Sequence, residues 1–331
     1  MRIFVTGGAG FIGSHFVRYV LAEPDVWVTN YDKLTYAGSL DSLRDVEGDP
    51  RYAFVRGDIC DGPGVARAMA GHDAVVNFAA ETHVDRSIEC ASDFLVTNCL
   101  GANTLFNTAM RLGVERFLHI STDEVYGSVD APGASRERDA LEPNSPYAVS
   151  KTSADLLARA YRVTFGYPIT VTRTANNFGP CQYPEKAIPL FITNLLDGLP
   201  LPLYGAGANV RDWTYVVDNA AAQWLALTRG EPGEVYNVGA GNELSNLELA
   251  GRILARLGLG EEMIAHVPDR PGHDLRYAVD AAKIGRLGWR PAHSFDEALD
   301  ATIAWYRANE WWWRPLKERG ASRRQGLVAR A

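Results

Sequence analysis

The chain has 331 residues, of which 47% are hydrophobic and 22% charged, and its formal net charge is −7. This length and composition suit one large α/β domain, or two smaller ones, with a buried core. With 33 basic and 40 acidic side chains, the chain lacks the basic excess that favours nucleic acid or anionic membranes. It has no run of about 18 apolar residues and no signal-peptide layout. We therefore expect a cytoplasmic protein with no membrane span and no nucleic-acid partner.

The cysteine pattern argues against a metal site. No C-x-x-C pair occurs, so neither a zinc site nor a redox motif is expected, and the thiols are expected to be free. The four cysteines are Cys60, Cys90, Cys99 and Cys181.

Short β-rich runs alternate with longer helical patterns through the first half of the chain. This alternation predicts an α/β fold: a doubly wound parallel-sheet Rossmann domain with a smaller C-terminal substrate-binding lobe. We place the Rossmann domain at 1–175 and most of the lobe at 176–331, with one or two strands around 210–240 rejoining the sheet. The predicted strands are Arg2–Thr6, Val26–Tyr31, Tyr52–Arg56, Ala74–Phe78, Arg116–Ser121, Ile169–Arg173 and Val235–Val238. The predicted helices are Phe11–Ala22, Gly64–Ala70, Phe94–Leu112, Tyr147–Phe165, Val217–Thr228, Leu247–Leu257 and Phe295–Arg307.

A glycine-rich turn joins the first predicted strand to the first predicted helix. Gly7, Gly10 and Gly13 have the spacing G-x-x-G-x-x-G. Such glycines allow a tight turn, a close backbone approach to a pyrophosphate and close packing of helix on strand. Phosphates then lie at the helix N-terminus, where free N–H groups and the helix dipole favour anions. The motif therefore predicts a dinucleotide site.

Carboxylates end the second and third predicted strands. Asp32 is placed to accept hydrogen bonds from both ribose hydroxyls of an adenosine and to repel a 2′-phosphate, which favours NAD over NADP. Asp58 and Ile59 end the next strand, where the adenine would lie. A solvated loop aspartate is the alternative interpretation at both positions.

Tyr147 and Lys151 form Y-x-x-x-K on a predicted helix, and this spacing places both on one face. We expect the ammonium of Lys151 to lower the pKa of Tyr147 towards neutrality, so that Tyr147 acts as a base for a sugar hydroxyl. The alternative is a pair of unrelated surface side chains.

Thr122, Asp123 and Glu124 follow the strand that ends at Ser121. Ligands in open α/β sheets lie at the carboxyl ends of strands. Two adjacent carboxyl groups there can divide into an ionised base and a protonated acid. A solvated turn is the alternative for this tripeptide considered alone.

Over nearly its whole length the chain resembles the dTDP-glucose 4,6-dehydratase family of the extended short-chain dehydrogenases/reductases. The Thr-Asp-Glu tripeptide discriminates best, because C4 epimerases usually carry small residues there, and decarboxylases or GDP-mannose dehydratases usually carry Thr-Ser-Glu. Phe178, Cys181 and Ala187 depart from the family pattern. The matching stretches are Thr6–Ser14, Asp32–Gly38, Ala79–Ser87, Ser121–Gly127, Ser145–Lys151, Asn176–Pro180, Pro184–Lys186, Arg211–Trp213 and Asp269–Asp274.

The resemblance implies an NAD-dependent hydro-lyase that converts dTDP-glucose to dTDP-4-keto-6-deoxyglucose and water. It assigns the catalytic steps to Thr122, Asp123, Glu124, Tyr147 and Lys151. The residues expected at the NAD are Gly7, Gly10, Phe11, Ile12, Gly13, Asp32, Lys33, Leu34, Thr35, Asp58, Ile59, Ala79, Ala80, Glu81, Thr97, Tyr147, Lys151 and Asn177. Those expected at the sugar nucleotide are His83, Thr122, Asn176, Lys186, Pro202, Tyr204, Arg211, Asn246, Arg270 and His273.

The resemblance also implies a homodimer built on the predicted helices Phe94–Leu112 and Tyr147–Phe165. Its apolar surface is expected at Phe94, Leu95, Leu100, Leu105 and Phe106. Two other classes of function stay open on the residues alone. One is another sugar-nucleotide enzyme on this scaffold, such as a UDP-sugar 4-epimerase, a decarboxylase or a UDP-glucose 4,6-dehydratase. The other is a non-catalytic NAD-binding protein.

Overall fold

The computed structural model describes residues 1–328, with side chains through residue 319. Within that part of the chain, twelve strands form three sheets, and the largest is a seven-stranded parallel sheet. The strands are β1 (Arg2–Thr6), β2 (Trp27–Asp32), β3 (Tyr52–Arg56), β4 (Ala74–Asn77), β5 (Arg116–Thr122), β6 (Ile169–Thr174), β7 (Asn176–Phe178), β8 (Leu201–Tyr204), β9 (Val210–Tyr215), β10 (Val235–Val238), β11 (Glu243–Ser245) and β12 (Ile264–Val267).

Helices cover both faces of the large sheet, whose strand order is β10-β6-β5-β4-β1-β2-β3. The helices are α1 (Phe11–Leu21), α2 (Gly62–Met69), α3 (Val84–Glu89), α4 (Ala91–Phe94), α5 (Ala102–Leu112), α6 (Pro146–Phe165), α7 (Ala187–Leu196), α8 (Val216–Arg229), α9 (Asn246–Leu257), α10 (Ala282–Arg286), α11 (Phe295–Ala308) and α12 (Glu310–Val328).

The apolar residues of β1 contribute to a hydrophobic cluster on each face of the large sheet. Side chains alternate between the faces of a strand, so Ile3 and Val5 pack into one hydrophobic cluster and Phe4 into the cluster on the opposite face. All three are fully buried. Parallel strands covered on both faces read as continuous hydrophobic runs, which is why this one could be predicted.

The doubly wound parallel fold is confirmed, and all seven predicted strands lie in the large sheet. Of the strands expected to rejoin it between 210 and 240, β10 does so by pairing with β6. β9 pairs with β7 and β11 in a separate three-stranded sheet.

The predicted single helix at 94–112 is interrupted. A π-helical segment, Leu95–Gly101, separates α4 from α5. The burial of this region also corrects the expected dimer surface. Phe94, Leu105 and Phe106 are buried in the monomer, whereas Leu95 and Leu100 are 43% and 59% exposed.

The C-terminal part of the chain builds a core of its own and also supports the large sheet. Phe178, Trp213 and Trp313 belong to the separate cluster of the lobe, whereas Tyr236 of β10 packs with the strands of the Rossmann sheet. Cys181, at another position that departs from the family pattern, is buried in the lobe cluster at a left-handed φ of 63°. Both departures are therefore packing positions of the lobe core.

In the part of the chain that the structure describes, no helix is long and apolar enough to cross a membrane. Among the same residues, no group of histidine, cysteine and carboxylate side chains has an arrangement that could hold a metal ion.

Candidate active site

The glycine-rich turn between β1 and α1 lies where the backbone leaves no room for side chains. Gly7 has a φ of 72°, and a Cβ on it would lie 2.5 Å from the backbone nitrogen of Ala79. A Cβ on Gly13 would lie 2.3 Å from the carbonyl oxygen of Gly7. Gly10, the N-cap of α1, makes no side-chain cap, so the first N–H groups of this helix stay available to an anion. The turn therefore fits a pyrophosphate.

Asp32 ends β2 beside this turn and is buried. Its carboxylate accepts one hydrogen bond from the backbone nitrogen of Ala9 at 3.0 Å and one from that of Leu34 at 2.8 Å. Burial raises the pKa of Asp32, and these two backbone hydrogen bonds limit the rise. Each carboxylate oxygen keeps acceptor capacity for a ribose hydroxyl. Leu34 itself acts through its backbone, and its side chain is not part of the cavity lining.

One cavity brings together nearly all the residues predicted to hold the cofactor. Beyond the glycines and Asp32, Asp58 also lines the cavity, and Lys33 pairs with it at 2.7 Å. Burial opposes ionisation of Asp58, but the hydrogen bonds from Lys33 and from the backbone of Cys60 outweigh it and lower its pKa. The other predicted cofactor residues that line the cavity are Phe11, Ile12, Thr35, Ile59, Ala79, Ala80, Glu81, Thr97, Tyr147, Lys151 and Asn177.

Tyr147 and Lys151 lie one turn apart near the start of α6 and are both buried. The expectation that Lys151 lowers the pKa of Tyr147 is wrong for this geometry. Burial and the nearby Glu124 carboxylate raise the pKa of Tyr147 instead. The Nζ of Lys151 donates to the carbonyl oxygen of Ile120 at 2.6 Å, and burial lowers the pKa of Lys151 to about 8. The lysine is thus anchored to β5 and poised to lose its proton near neutrality.

The carboxyl pair lies directly after β5 and faces the same cavity. Thr122 caps the short helical turn by accepting from the backbone nitrogen of Glu124 at 3.3 Å and donates to Asp123 Oδ1 at 3.2 Å. Asp123 is buried, and among the described residues its Oδ2 has no hydrogen-bond partner. Burial and the charge of Glu124 raise the pKa of Asp123 to about 8.

The environment of Glu124 differs from that of its neighbour. Burial raises the pKa of Glu124, but three nearby cations counteract the rise. Asp123 is therefore the carboxyl of the pair that keeps its proton near neutral pH, and Glu124 is the one more easily ionised. The three cations are Arg270, Arg211 and Lys186.

Each of the three cations is fixed by its surroundings. Lys186 donates to the carbonyl oxygen of Thr82 at 2.7 Å. Arg211 is buried, lies 4.2 Å from the ring centre of Tyr277 and donates to the carbonyl oxygen of Asp274 at 2.9 Å. This concentration of positive charge beside the carboxyl pair suits a diphosphate, since guanidinium groups bind phosphate oxygens bidentately.

Most of the remaining predicted substrate residues lie beyond the cavity lining, in the lobe and at its junction with α3. Tyr204 donates to Asp85 at 3.2 Å, and Arg270 contacts the other oxygen of Asp85 at 3.5 Å. His273 Nδ1 donates to Asp269 Oδ1 at 2.6 Å, and its ring packs edge-on against Tyr204. The others are Asn176, which lines the cavity, His83 before α3, Pro202 in β8 and Asn246 at the start of α9.

Sequence reasoning left several lining residues unassigned. Tyr36, Gln182, Tyr183 and Glu185 line the cavity, although the first and last belong to stretches that match the family pattern. The side chain of Asn98 accepts a hydrogen bond from the backbone nitrogen of Glu81 at 2.8 Å and donates one to its carbonyl oxygen at 2.9 Å. It lies in the π-helical segment, and such segments often mark functional sites.

The fold and this site together define a class of protein. A parallel Rossmann sheet, a glycine turn with an acidic residue after β2, and a Tyr/Lys pair beside β5 are the features of an NAD-dependent extended short-chain dehydrogenase/reductase. Comparison with known families narrows the class, because the family described as GDP-mannose 4,6 dehydratase matches residues 4–302. The chain belongs to this family.

Two proteins of high similarity are dTDP-glucose 4,6-dehydratases. The chain is 51% identical to a dTDP-glucose 4,6-dehydratase of Actinoplanes over 320 residues, which cover 95% of this chain and 100% of the relative. A crystal structure of the dTDP-glucose 4,6-dehydratase of Streptomyces venezuelae with NAD and dTDP bound superimposes with a TM-score of 0.94. It is 54% identical and covers 96% of this chain and 100% of its own.

The same scaffold also carries other activities. A UDP-glucose 4-epimerase of Thermus thermophilus in complex with NAD superimposes with a TM-score of 0.86 at 32% identity, covering 93% of this chain and 100% of its own. The similarity to this epimerase is therefore clearly lower than that to the dehydratases.

Proposed function

We propose that this protein is a dTDP-glucose 4,6-dehydratase, an NAD-dependent hydro-lyase that forms dTDP-4-keto-6-deoxyglucose and water. The observation that carries the proposal is the carboxyl pair of Asp123 and Glu124 after β5. Burial and Glu124 raise the pKa of Asp123 to about 8, whereas three cations counteract the rise in the pKa of Glu124. An epimerase acting only at C4 has no use for such a pair. The high similarity to dehydratases over nearly the whole chain agrees with it.

The residues of the glycine turn and Asp32 fit NAD. The backbone at Gly7 and Gly13 excludes side chains where the pyrophosphate approaches, and Asp32 is held to receive the adenosine ribose. NAD, when bound, accepts hydrogen and its electron pair from C4 of the sugar and later returns them to C6. Lys151 is the residue placed to hold the nicotinamide ribose.

Tyr147 begins the reaction by taking the proton of the C4 hydroxyl. Its pKa is raised in this structure, so the phenolate needs stabilisation that arrives with the ligands. Bound NAD would add a positive charge that favours the phenolate, and the ammonium of Lys151 would act in the same direction. Thr122 orients the C4 hydroxyl by a hydrogen bond. The resulting 4-ketone makes the C5 hydrogen acidic.

The carboxyl pair performs the elimination. Glu124 takes the proton at C5, and Asp123 gives its proton to the departing C6 hydroxyl, so that one water leaves. General acid and base steps of this kind contribute about 10²–10⁴-fold each. C5 then regains a proton as C6 receives the hydrogen that was taken from C4. The reaction therefore consumes no oxidant or reductant overall.

The lobe residues hold the nucleotide part of the substrate. Lys186, Arg211 and Arg270 lie close enough to Glu124 to counteract the rise in its pKa, so a diphosphate bound to them places the sugar beside the carboxyl pair. We assign Tyr204 and Pro202 to pack against the pyrimidine base. The other residues assigned to the sugar nucleotide are His83, Thr122, Asn176, Asn246 and His273.

A homodimer in the cytoplasm is part of the proposal. The π-helical segment contacts α6 through Asn98 and Ser150, and a second copy would cover the exposed apolar side chains of both segments. They are Leu95, Val96, Leu100, Val149, Leu156, Val163 and Phe165. The division into a Rossmann domain at 1–175 and a lobe at 176–331 also stays a prediction.

Product analysis tests the proposed activity. Purified protein incubated with dTDP-glucose is expected to release the 4-keto-6-deoxy nucleotide, and Glu124→Gln is expected to slow its formation about 10²–10⁴-fold. Formation of the C4 epimer without loss of water would reject the dehydratase and favour the epimerase alternative.

A further inference from the structure

One cluster at the rim of the cofactor cavity has no part in the chemistry above. Glu185 Oε1 accepts a hydrogen bond from the hydroxyl of Tyr36 at 2.8 Å, and Glu185 Oε2 accepts one from Arg86 at 2.8 Å. The guanidinium carbon of Arg86 lies 3.7 Å from the centre of the Tyr36 ring. Each member of this Tyr36–Arg86–Glu185 cluster therefore contacts the other two.

The cluster ties together three segments that are distant in the sequence. Tyr36 belongs to the loop that follows Asp32, Arg86 lies in α3, which follows the cavity-lining Glu81, and Glu185 precedes α7. Tyr36 and Glu185 both line the cavity, yet 149 positions separate them in the sequence. The hydrogen bond between them therefore joins the loop after Asp32 to the segment before α7 at the cavity wall.

The contacts are stronger than those of a surface ion pair. The side chain of Glu185 is only 8% exposed and that of Arg86 is 28% exposed. Burial and the charge of Glu185 raise the pKa of Tyr36, so its hydroxyl keeps the proton that it donates. Burial alone would lower the pKa of Arg86, but Glu185 outweighs it and the pKa is raised. Charge-assisted hydrogen bonds in such surroundings are shorter and stronger than neutral ones.

We propose that the Tyr36–Arg86–Glu185 cluster is a latch that must open before NAD can leave, and that it retains the cofactor through the catalytic cycle. The inference rests on the proposed function in one respect. A reaction that returns to C6 the hydrogen taken from C4 leaves an unfinished sugar if the cofactor escapes midway. The three are positioning residues, since none lies among the groups assigned to the reacting atoms.

The rate of NAD release tests the latch without any sugar nucleotide. Glu185→Gln keeps the size of the side chain but removes the charge on which both hydrogen bonds depend. Loaded protein is diluted into excess unlabelled NAD, and loss of labelled NAD is followed over time. We expect release about tenfold or more faster than in the wild type, because a lost hydrogen bond to a charged group is worth that factor. Tyr36→Phe keeps the ring under Arg86 and should accelerate release less.

A matched control separates the latch from general loosening. Glu234 also bridges two basic side chains from different helices, Arg162 at 3.0 Å and Lys283 at 2.9 Å, but it does not line the cofactor cavity. Glu234→Gln is therefore expected to release NAD at the wild-type rate. Turnover of Glu185→Gln should depend on added NAD and return to the wild-type kcat when NAD is saturating.

Two results would overturn the latch: release from Glu185→Gln at the wild-type rate, or equal acceleration by Glu185→Gln and Glu234→Gln. Arg86→Lys, which keeps the charge but loses the flat stacking on Tyr36, provides a second variant if Glu185→Gln does not fold. If the protein releases NAD as expected but makes no 4-keto product, the latch stands and the dehydratase proposal fails.

Discussion

Replacing Asp123 by Asn should stabilise the fold while it damages the chemistry. Burial beside Glu124 raises the pKa of Asp123 from 3.8 to about 8, so the folded state holds a proton that the unfolded state releases at neutral pH. A raised carboxyl pKa makes the free energy of unfolding fall as the pH rises from about 4 to about 8. pH 7 lies about three units above the ordinary pKa, so keeping the proton on Asp123 at this pH lowers the free energy of unfolding by about 4 kcal/mol. Asparagine is neutral at every pH and escapes this loss.

The assay is urea unfolding of wild type and Asp123→Asn at several values between pH 5 and pH 9, with NAD occupancy matched. The variant's advantage should grow as the pH rises and level off above about pH 8. Asp130→Asn, which replaces an exposed aspartate, should change stability little at any pH. Two results would contradict a destabilising burial of the Asp123 carboxylate. One is a difference in the free energy of unfolding between Asp123→Asn and wild type that stays constant across this range, and the other is a less stable variant at pH 8.

Four further outcomes follow from the same geometry. The rate of dehydration should fall above about pH 8, where Asp123 loses its proton and Lys151 its charge; a rate that keeps rising through pH 9 would contradict this. Tyr147→Phe should block oxidation at C4, so that substrate gives no nicotinamide absorbance change, and a normal change in stopped-flow records would exclude Tyr147 as the base. Gly13→Ala should abolish NAD binding, because its Cβ would lie 2.3 Å from the carbonyl oxygen of Gly7, and equilibrium dialysis with unchanged NAD affinity would disprove it. Leu100→Asp should yield monomers in light scattering if the exposed apolar surface is the dimer interface, and an unchanged dimer mass would move the interface elsewhere.

The large sheet could be predicted because its inner strands, such as β1 and β4, are buried on both faces and read as short apolar runs. The lobe could not be predicted equally well. β8 contains Pro202 and pairs only with β12, and β7 and β11 have three residues each. Such short edge strands carry too little pattern to separate them from loops.

The candidate site also has features that the sequence predicts and features that it does not. Gly7, Gly13 and Asp32 act through local backbone geometry, which a motif specifies. The state of Tyr147 depends instead on its burial and on the direction that Lys151 takes towards Ile120. The latch depends on side chains brought together from three distant segments. A local sequence pattern predicts neither the burial around Tyr147 nor the contacts between these distant segments.

The most direct test of the dehydratase follows one hydrogen atom. dTDP-glucose labelled with deuterium at C4 is converted by the purified protein in ordinary water, and the product is examined by NMR. The account predicts a 4-keto-6-deoxy sugar that carries the deuterium at C6 and a hydrogen from water at C5. Deuterium that stays at C4 of an epimerised sugar, or a dehydrated product without deuterium at C6, would contradict it.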